Sequence, residues 1–193
     1  MKKNHVLAVL FVATLAVAVS ASEDDEKFTN TMSVFQKSEA VQPFFENAYG
    51  YAVFPTIGKA GVGIGGAFGK GRVYQDGQMT GEVRLIKASI GLQFGGQAFS
   101  EIIFFEDKRA YDEFTGGEFE FDASASAVAI TAGAQAQAGT QGATAGASAG
   151  PATGAQAEAK YHKGMAVFVH AKGGLMYELS IGGQKFRFKP TEE

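Results

Sequence analysis

Residues 58–72 read GKAGVGIGGAFGKGR, and the reading of this stretch decides the fold. Gly61-x-Gly63-x-x-Gly66 has the spacing of a dinucleotide-binding turn, which sits between a strand and a helix inside a βαβ unit. Here the glycines keep alternating instead. Odd positions carry Gly61, Gly63, Gly65, Ala67, Gly69 and Gly71, while even positions carry Ala60, Val62, Ile64, Gly66, Phe68, Lys70 and Arg72. Side chains alternate across a strand. The stretch therefore predicts a β-strand with one nearly bare face and one apolar face that ends in basic residues. A P-loop fails too, because Ile64 occupies the position of its first glycine and Lys70 is followed by Gly71 rather than Ser or Thr. The motif is structural.

Working outward, Ser89, Gly91, Gln93, Gly95 and Gln97 alternate with Ile90, Leu92, Phe94, Gly96 and Ala98, which predicts a second glycine-faced strand. Asp76-Gly77 between the two is a hairpin-turn signal. Two such strands imply a tightly curved sheet, or one that another layer approaches closely. Upstream, Phe28, Met32 and Phe35 fall near helical spacing. Ser38 is read as the N-cap of a short helix through Phe44, Phe45 and Ala48, bent or interrupted at Pro43. Tyr51 to Phe54 reads as a short strand ahead of Pro55.

Downstream, Ile102 to Phe105 is a further strand, and Asp107 is placed to cap a helix presenting Ala110, Tyr111 and Phe114 that Gly116-Gly117 stops. Glu118, Glu120 and Asp122 alternate with Phe119, Phe121 and Ala123 as a half-buried strand. Met165 to Lys172 and Leu175 to Ile181 read as strands joined at Gly173-Gly174. A last strand after Gly182-Gly183 carries Lys185, Arg187 and Lys189 on one face and Phe186 and Phe188 on the other. The expected fold is α+β and mainly antiparallel β. Its core is a curved glycine-rich sheet, or one like a barrel or sandwich, with N-terminal helices and one internal helix.

The 193 residues suit one folded domain, and 46% apolar against 19% charged residues mark it as globular. Seventeen phenylalanines with no tryptophan make Phe the main large core residue, and the lack of cysteine removes disulfides, thiolate metal sites and thiol nucleophiles. Lys2 and Lys3, an apolar run from Val6 to Val19 and small residues at Val19-Ser20-Ala21 or Ala18-Val19-Ser20 predict a secretory signal peptide over 1–21. The run is too short for a bilayer span, and Glu23-Asp-Asp-Glu26 follows it. We therefore expect an exported protein, periplasmic or secreted. An acidic, partly helical segment at 22–38 leads into a domain at 39–193, interrupted by an Ala/Gly/Gln-rich excursion at 133–158. Removing the leader takes the net charge from −3 to −5, which disfavours general nucleic-acid binding.

Catalytic signals are weak. Gly146-Ala-Ser148-Ala-Gly150 matches a nucleophile elbow in letters, with Glu158 and His162 downstream, but it lies in the low-complexity tract rather than between a buried strand and a helix. His162 and His170 have no third partner at metal-ligand spacing, and Glu118, Glu120 and Asp122 lack the loop of a calcium site. No enzyme activity, metal or cofactor is expected. The positive signal is basic: Lys59, Lys70, Arg72, Arg84, Lys87, Lys185, Arg187 and Lys189 lie at or near strand ends. They suit either solubilising charges or a patch for phosphate-bearing lipid headgroups. Phe44-Phe45 is the candidate apolar pair for partial insertion beside such a patch, although burial in the core is the favoured reading for both.

The run from Gly50 to Gly71 (GYAVFPTIGKAGVGIGGAFGKG) resembles the opening of the SYLF lipid-binding domain family. The likeness continues through Ala88 to Gln97 (ASIGLQFGGQ), Ile102 to Phe105 (IIFF), Glu118 to Ala129 and Tyr161 to Met165 (YHKGM), covering about residues 39–183 in order. The resemblance implies a non-enzymatic, lipid-associated domain whose partners are anionic lipid headgroups. Eukaryotic members bind phosphoinositides and associate with actin, while bacterial members are commonly secreted. Relatives use a basic or amphipathic N-terminal segment, whereas the mature start here is acidic, and an exported chain does not meet actin in its own cell. Actin is therefore not an expected partner. The alternative is a structural module that contacts an envelope protein through the 133–158 tract.

Overall fold

The computed structural model describes residues 23–121, 127–130, 160–174 and 184–191. The architecture is α+β and dominated by one sheet. Residues 23–36 form helix α1. Helix α2, Gln42–Asn47, follows, then strands β1, Gly50–Gln75, and β2, Gln78–Phe105. Helix α3 is Lys108–Thr115, and the remaining strands are β3, Glu118–Phe121; β4, Ala127–Ile130; β5, Met165–Gly174; and β6, Gln184–Pro190.

The glycine stretch is one part of a much longer strand than the sequence suggests. β1 runs 26 residues and pairs antiparallel with the 28 residues of β2. Tyr51 to Phe54 is the start of this strand, not a separate one. Pro55 does not end it, because the register is irregular between Phe54 and Ile57, where the ladder does not need the missing N–H. Asp76 and Gly77 make the turn, with φ of 50° and 76°. Positive φ at both central residues matches the right-handed twist of a hairpin.

The hairpin does not stay flat. In a straight strand Ile57 and Gly69 would lie about 40 Å apart, yet a Cβ built on Gly69 would be 2.7 Å from Ile57 Cγ1. A Cβ on Gly71 would similarly be 2.6 Å from Phe54 Cδ1. β1 therefore curls until its second half faces its first. The curl coincides with a break in register between Val62 and Ile64, where Gly63 alone faces residues 91–93 of β2. Such an irregularity bends and twists a strand. The face at Ala67, Gly69 and Gly71 turns inward and lets the two halves approach. The even face at Gly66, Phe68 and Lys70 is exposed, so the face read as apolar is the outer one.

On the side of β2 away from β1, β6 pairs with Gly81 to Ile86 and β5 pairs with Gln97 to Phe105. β3 extends β6, and β4 adds to β5 in parallel. The described sheet is curved but not closed into a barrel. One core cluster fills the space between its halves, with Phe54, Ile57, Leu85, Ile103, Phe105, Val167 and Phe186 buried beside Ala110 and Phe114 of α3. A second lies on the outer face of the first half. There Phe35 and Phe44 from the N-terminal helices meet Val53, Ile102, Phe104 and Phe168.

Asp107 caps α3 as expected, its carboxylate accepting from the Ala110 N–H at 2.8 Å, and Gly116 ends the helix. The start of α2 differs from the sequence reading. Val41, not Ser38, holds the N-cap position, and Pro43 lies in the first turn, where its missing N–H has no intrahelical partner to lose. Pro43 helps to begin this helix. The reading of Leu175 to Ile181 as a strand and the 133–158 excursion lie outside the described residues, as do the leader and Ser148.

Candidate functional site

The outer face of the hairpin's second half is built by strand register. Phe68 of β1 lies opposite Ile86 of β2, which lies opposite Lys185 of β6, which faces Glu120 of β3. The next row toward the turn is Lys70, Arg84, Arg187 and Glu118, followed by Arg72, Glu82 and Lys189. Alternation sends Phe68, Lys70, Arg84, Ile86, Lys185 and Arg187 to the same exposed face. With strands about 4.8 Å apart, Lys70, Arg84 and Arg187 leave the sheet within about 10 Å of one another.

Their partners differ across the face. Arg187 pairs with Glu118 at 2.8 Å and Lys185 with Glu120 at 3.4 Å, all four well exposed. Such surface pairs are weak and salt-screened. Lys70 and Arg84 make no salt bridge among the described residues. Arg72 is committed elsewhere: its Nη1 donates to Asp25 of α1 at 2.6 Å, and its guanidinium lies 4.3 Å from the centre of the Phe28 ring. Partial burial opposes the charge on Arg72, but its hydrogen bonds to Asp25 and Tyr74 outweigh that and raise its pKa. The acidic segment thus packs beside the basic face. The pKa of Asp24 is lowered first by its hydrogen bond to Lys27, and Arg72 and Lys70 add smaller contributions.

Lys59 and Lys87 do not join this face. Both lie on inward positions, 8% and 7% exposed. Parity in the sequence carried this signal, since Lys59 shares the odd register of the glycines while Lys70 and Arg72 take the even one. Further inside, Gln184 Nε2 donates to Glu101 Oε2 at 3.2 Å, joining β6 in one half of the folded sheet to the far end of β2 in the other. Burial pushes the Glu101 pKa up to about 7, against the lowering effects of the Gln184 hydrogen bond and the Lys87 charge.

The apolar pair singled out from the sequence is core. Phe44 packs its ring against Phe104, Phe168 and Tyr161, and Phe45 is half-buried against Tyr51 and Phe104. The exposed pair is Phe68 and Ile86, at 50% and 44%. Among the described residues, no helix is long and apolar enough to cross a membrane, and no three His, Asp or Glu side chains gather as a metal site.

A sequence relative can be set beside this surface. The chain is 26% identical over 167 residues to Beta cell expansion factor A of Aeromonas veronii. The match takes in 82% of this chain and 52% of the relative, so the chain spans about half the length of the curated protein it matches. No family model matches the chain.

Proposed function

We propose that the protein is an exported, non-enzymatic SYLF-type domain that binds anionic phospholipid headgroups through the outer face of its hairpin. The observation that carries this reading is the row Lys70, Arg84 and Arg187, which three neighbouring strands deliver to one exposed surface. Lys70 and Arg84 make no salt bridge among the described residues, so phosphates meet them without breaking one there. Lys185 and Arg187 exchange weak exposed pairs for phosphate contacts. The resemblance of the Gly50 to Gly71 run to the SYLF family supports the same ligand class. Lys59 and Lys87 are dropped from the proposed contact set because they point into the fold.

Co-sedimentation of the mature chain with vesicles tests the reading. Binding is expected to rise with the fraction of anionic lipid and to fall with salt, as exposed charges are screened beyond about 10 Å at 0.1 M ionic strength. Each base near an anionic surface contributes about 1 kcal/mol, so Lys70→Gln combined with Arg84→Gln is expected to weaken partitioning about 30-fold. Absence of pelleting with every anionic composition sinks the proposal.

A further inference from the structure

We infer that Phe68 and Ile86 form an apolar wedge that enters the headgroup region of an anionic bilayer while the surrounding cations hold its phosphates. This rests on the lipid-binding reading above and adds an element that basic residues alone do not supply. Phe68 and Ile86 are the large hydrophobic side chains found exposed among the described residues, and register places them directly opposite each other on adjacent strands. Two isolated exposed hydrophobes would need no explanation. A cross-strand pair on adjacent strands is a single apolar feature. Both stay exposed although α1 reaches Arg72 of the same half, because the N-terminal helices pack over Val53, Tyr74, Ile102 and Phe104.

The charges around the pair select its occupant. Lys185 flanks Ile86 in the same row, and Lys70 and Arg84 stand in the next row with no salt bridge of their own among the described residues. A second copy of this face docked with its two-fold axis along the strands would bring Lys70 against Arg84, so that symmetric dimer through the pair is opposed by like charge. An anionic bilayer meets both demands: phosphates for the cations and an apolar layer for Phe68 and Ile86. Peripheral binding of this kind combines buried apolar area with electrostatic attraction.

The sequence contains no tryptophan, so Phe68→Trp or Ile86→Trp installs a single reporter in an otherwise silent background. With anionic vesicles, both variants are expected to shift their emission to the blue and to be quenched by lipids brominated near the top of the acyl chain. Phe68→Ser with Ile86→Ser is expected to weaken vesicle binding by about tenfold, as apolar area is lost from the contact. Both side chains are exposed, so the thermal midpoint should stay near that of the parent.

If the Trp variants pellet with vesicles but keep a water-like emission, contact is purely electrostatic; the wedge is overturned while headgroup binding stands. If parent and variants all fail to pellet, both readings fall. A blue shift that grows with protein concentration in the absence of lipid assigns the pair to a contact between copies and overturns the wedge.

Discussion

Gly71→Ala is expected to destabilise the domain by about 1–3 kcal/mol, the usual cost of forcing atoms into a packed core. The added methyl would lie 2.6 and 2.7 Å from two ring carbons of Phe54 and 2.8 Å from the Val53 carbonyl oxygen. Neither neighbour moves away cheaply. Phe54 is fully buried with its ring against Phe186, and Val53 is held in the ladder opposite Ile102. The two halves of the hairpin would have to separate. Gly58→Ala supplies the control on the same strand, because a Cβ there meets nothing within 4 Å. It is expected to change stability by no more than about 0.5 kcal/mol. Urea unfolding midpoints of the two variants decide the matter. Equal losses would mean that the glycine face is not where the halves meet.

That close approach was legible in the sequence because strand period is strict. Glycine at every second residue, with large residues displaced to the other face, has few explanations besides a neighbouring layer. The turn at Asp76-Gly77 and the cap at Asp107 were legible for the same kind of reason, since each depends on local chemistry. The pairing of Phe68 with Ile86 was not. Continuing the register set by Gln75 opposite Gln78 would place Phe68 opposite Leu85. The irregularity between Val73 and Tyr74 inserts one residue into β2, and that single step sends Ile86 outward and Leu85 into the core. No local signal announced it.

The basic residues show the same division. Their presence near strand ends was plain, but the grouping of Lys70 and Arg84 with Arg187 depends on β6 returning across more than eighty residues of chain. Contacts at such separation are set by tertiary packing. Phe44 and Phe45, for which burial was the favoured reading, stayed open to two readings for a related reason. A Phe pair beside a proline looks alike in sequence whether it is exposed or buried, and only the ring contacts with Phe104 and Phe168 settle it.

Glu101→Gln is expected to stabilise the domain above pH 7 by on the order of 3 kcal/mol and to leave it nearly unchanged at the ordinary carboxylate pKa. Glu101 is fully buried, and burial raises its pKa from 4.5 to about 7 despite the opposing effects of Gln184 and Lys87. A raised carboxyl pKa means that the folded state binds the proton more tightly than the unfolded chain. Stability from this residue is therefore complete below pH 4.5, falls as pH rises through the window to about 7, and is lost above it. Glutamine has a similar shape and no charge to desolvate, so it removes that loss. Hydrogen bonding points the same way. Among the described residues Glu101 Oε1 and Gln184 Oε1 are both buried acceptors without a donor, and protonating the carboxyl supplies one to the pair. The competing expectation is that attraction between Glu101 and Lys87 dominates, in which case the variant would be less stable than the parent above pH 7. Unfolding midpoints of parent and variant across the window separate the two, and a difference that is flat or of the opposite sign rejects a neutral Glu101 in the folded core.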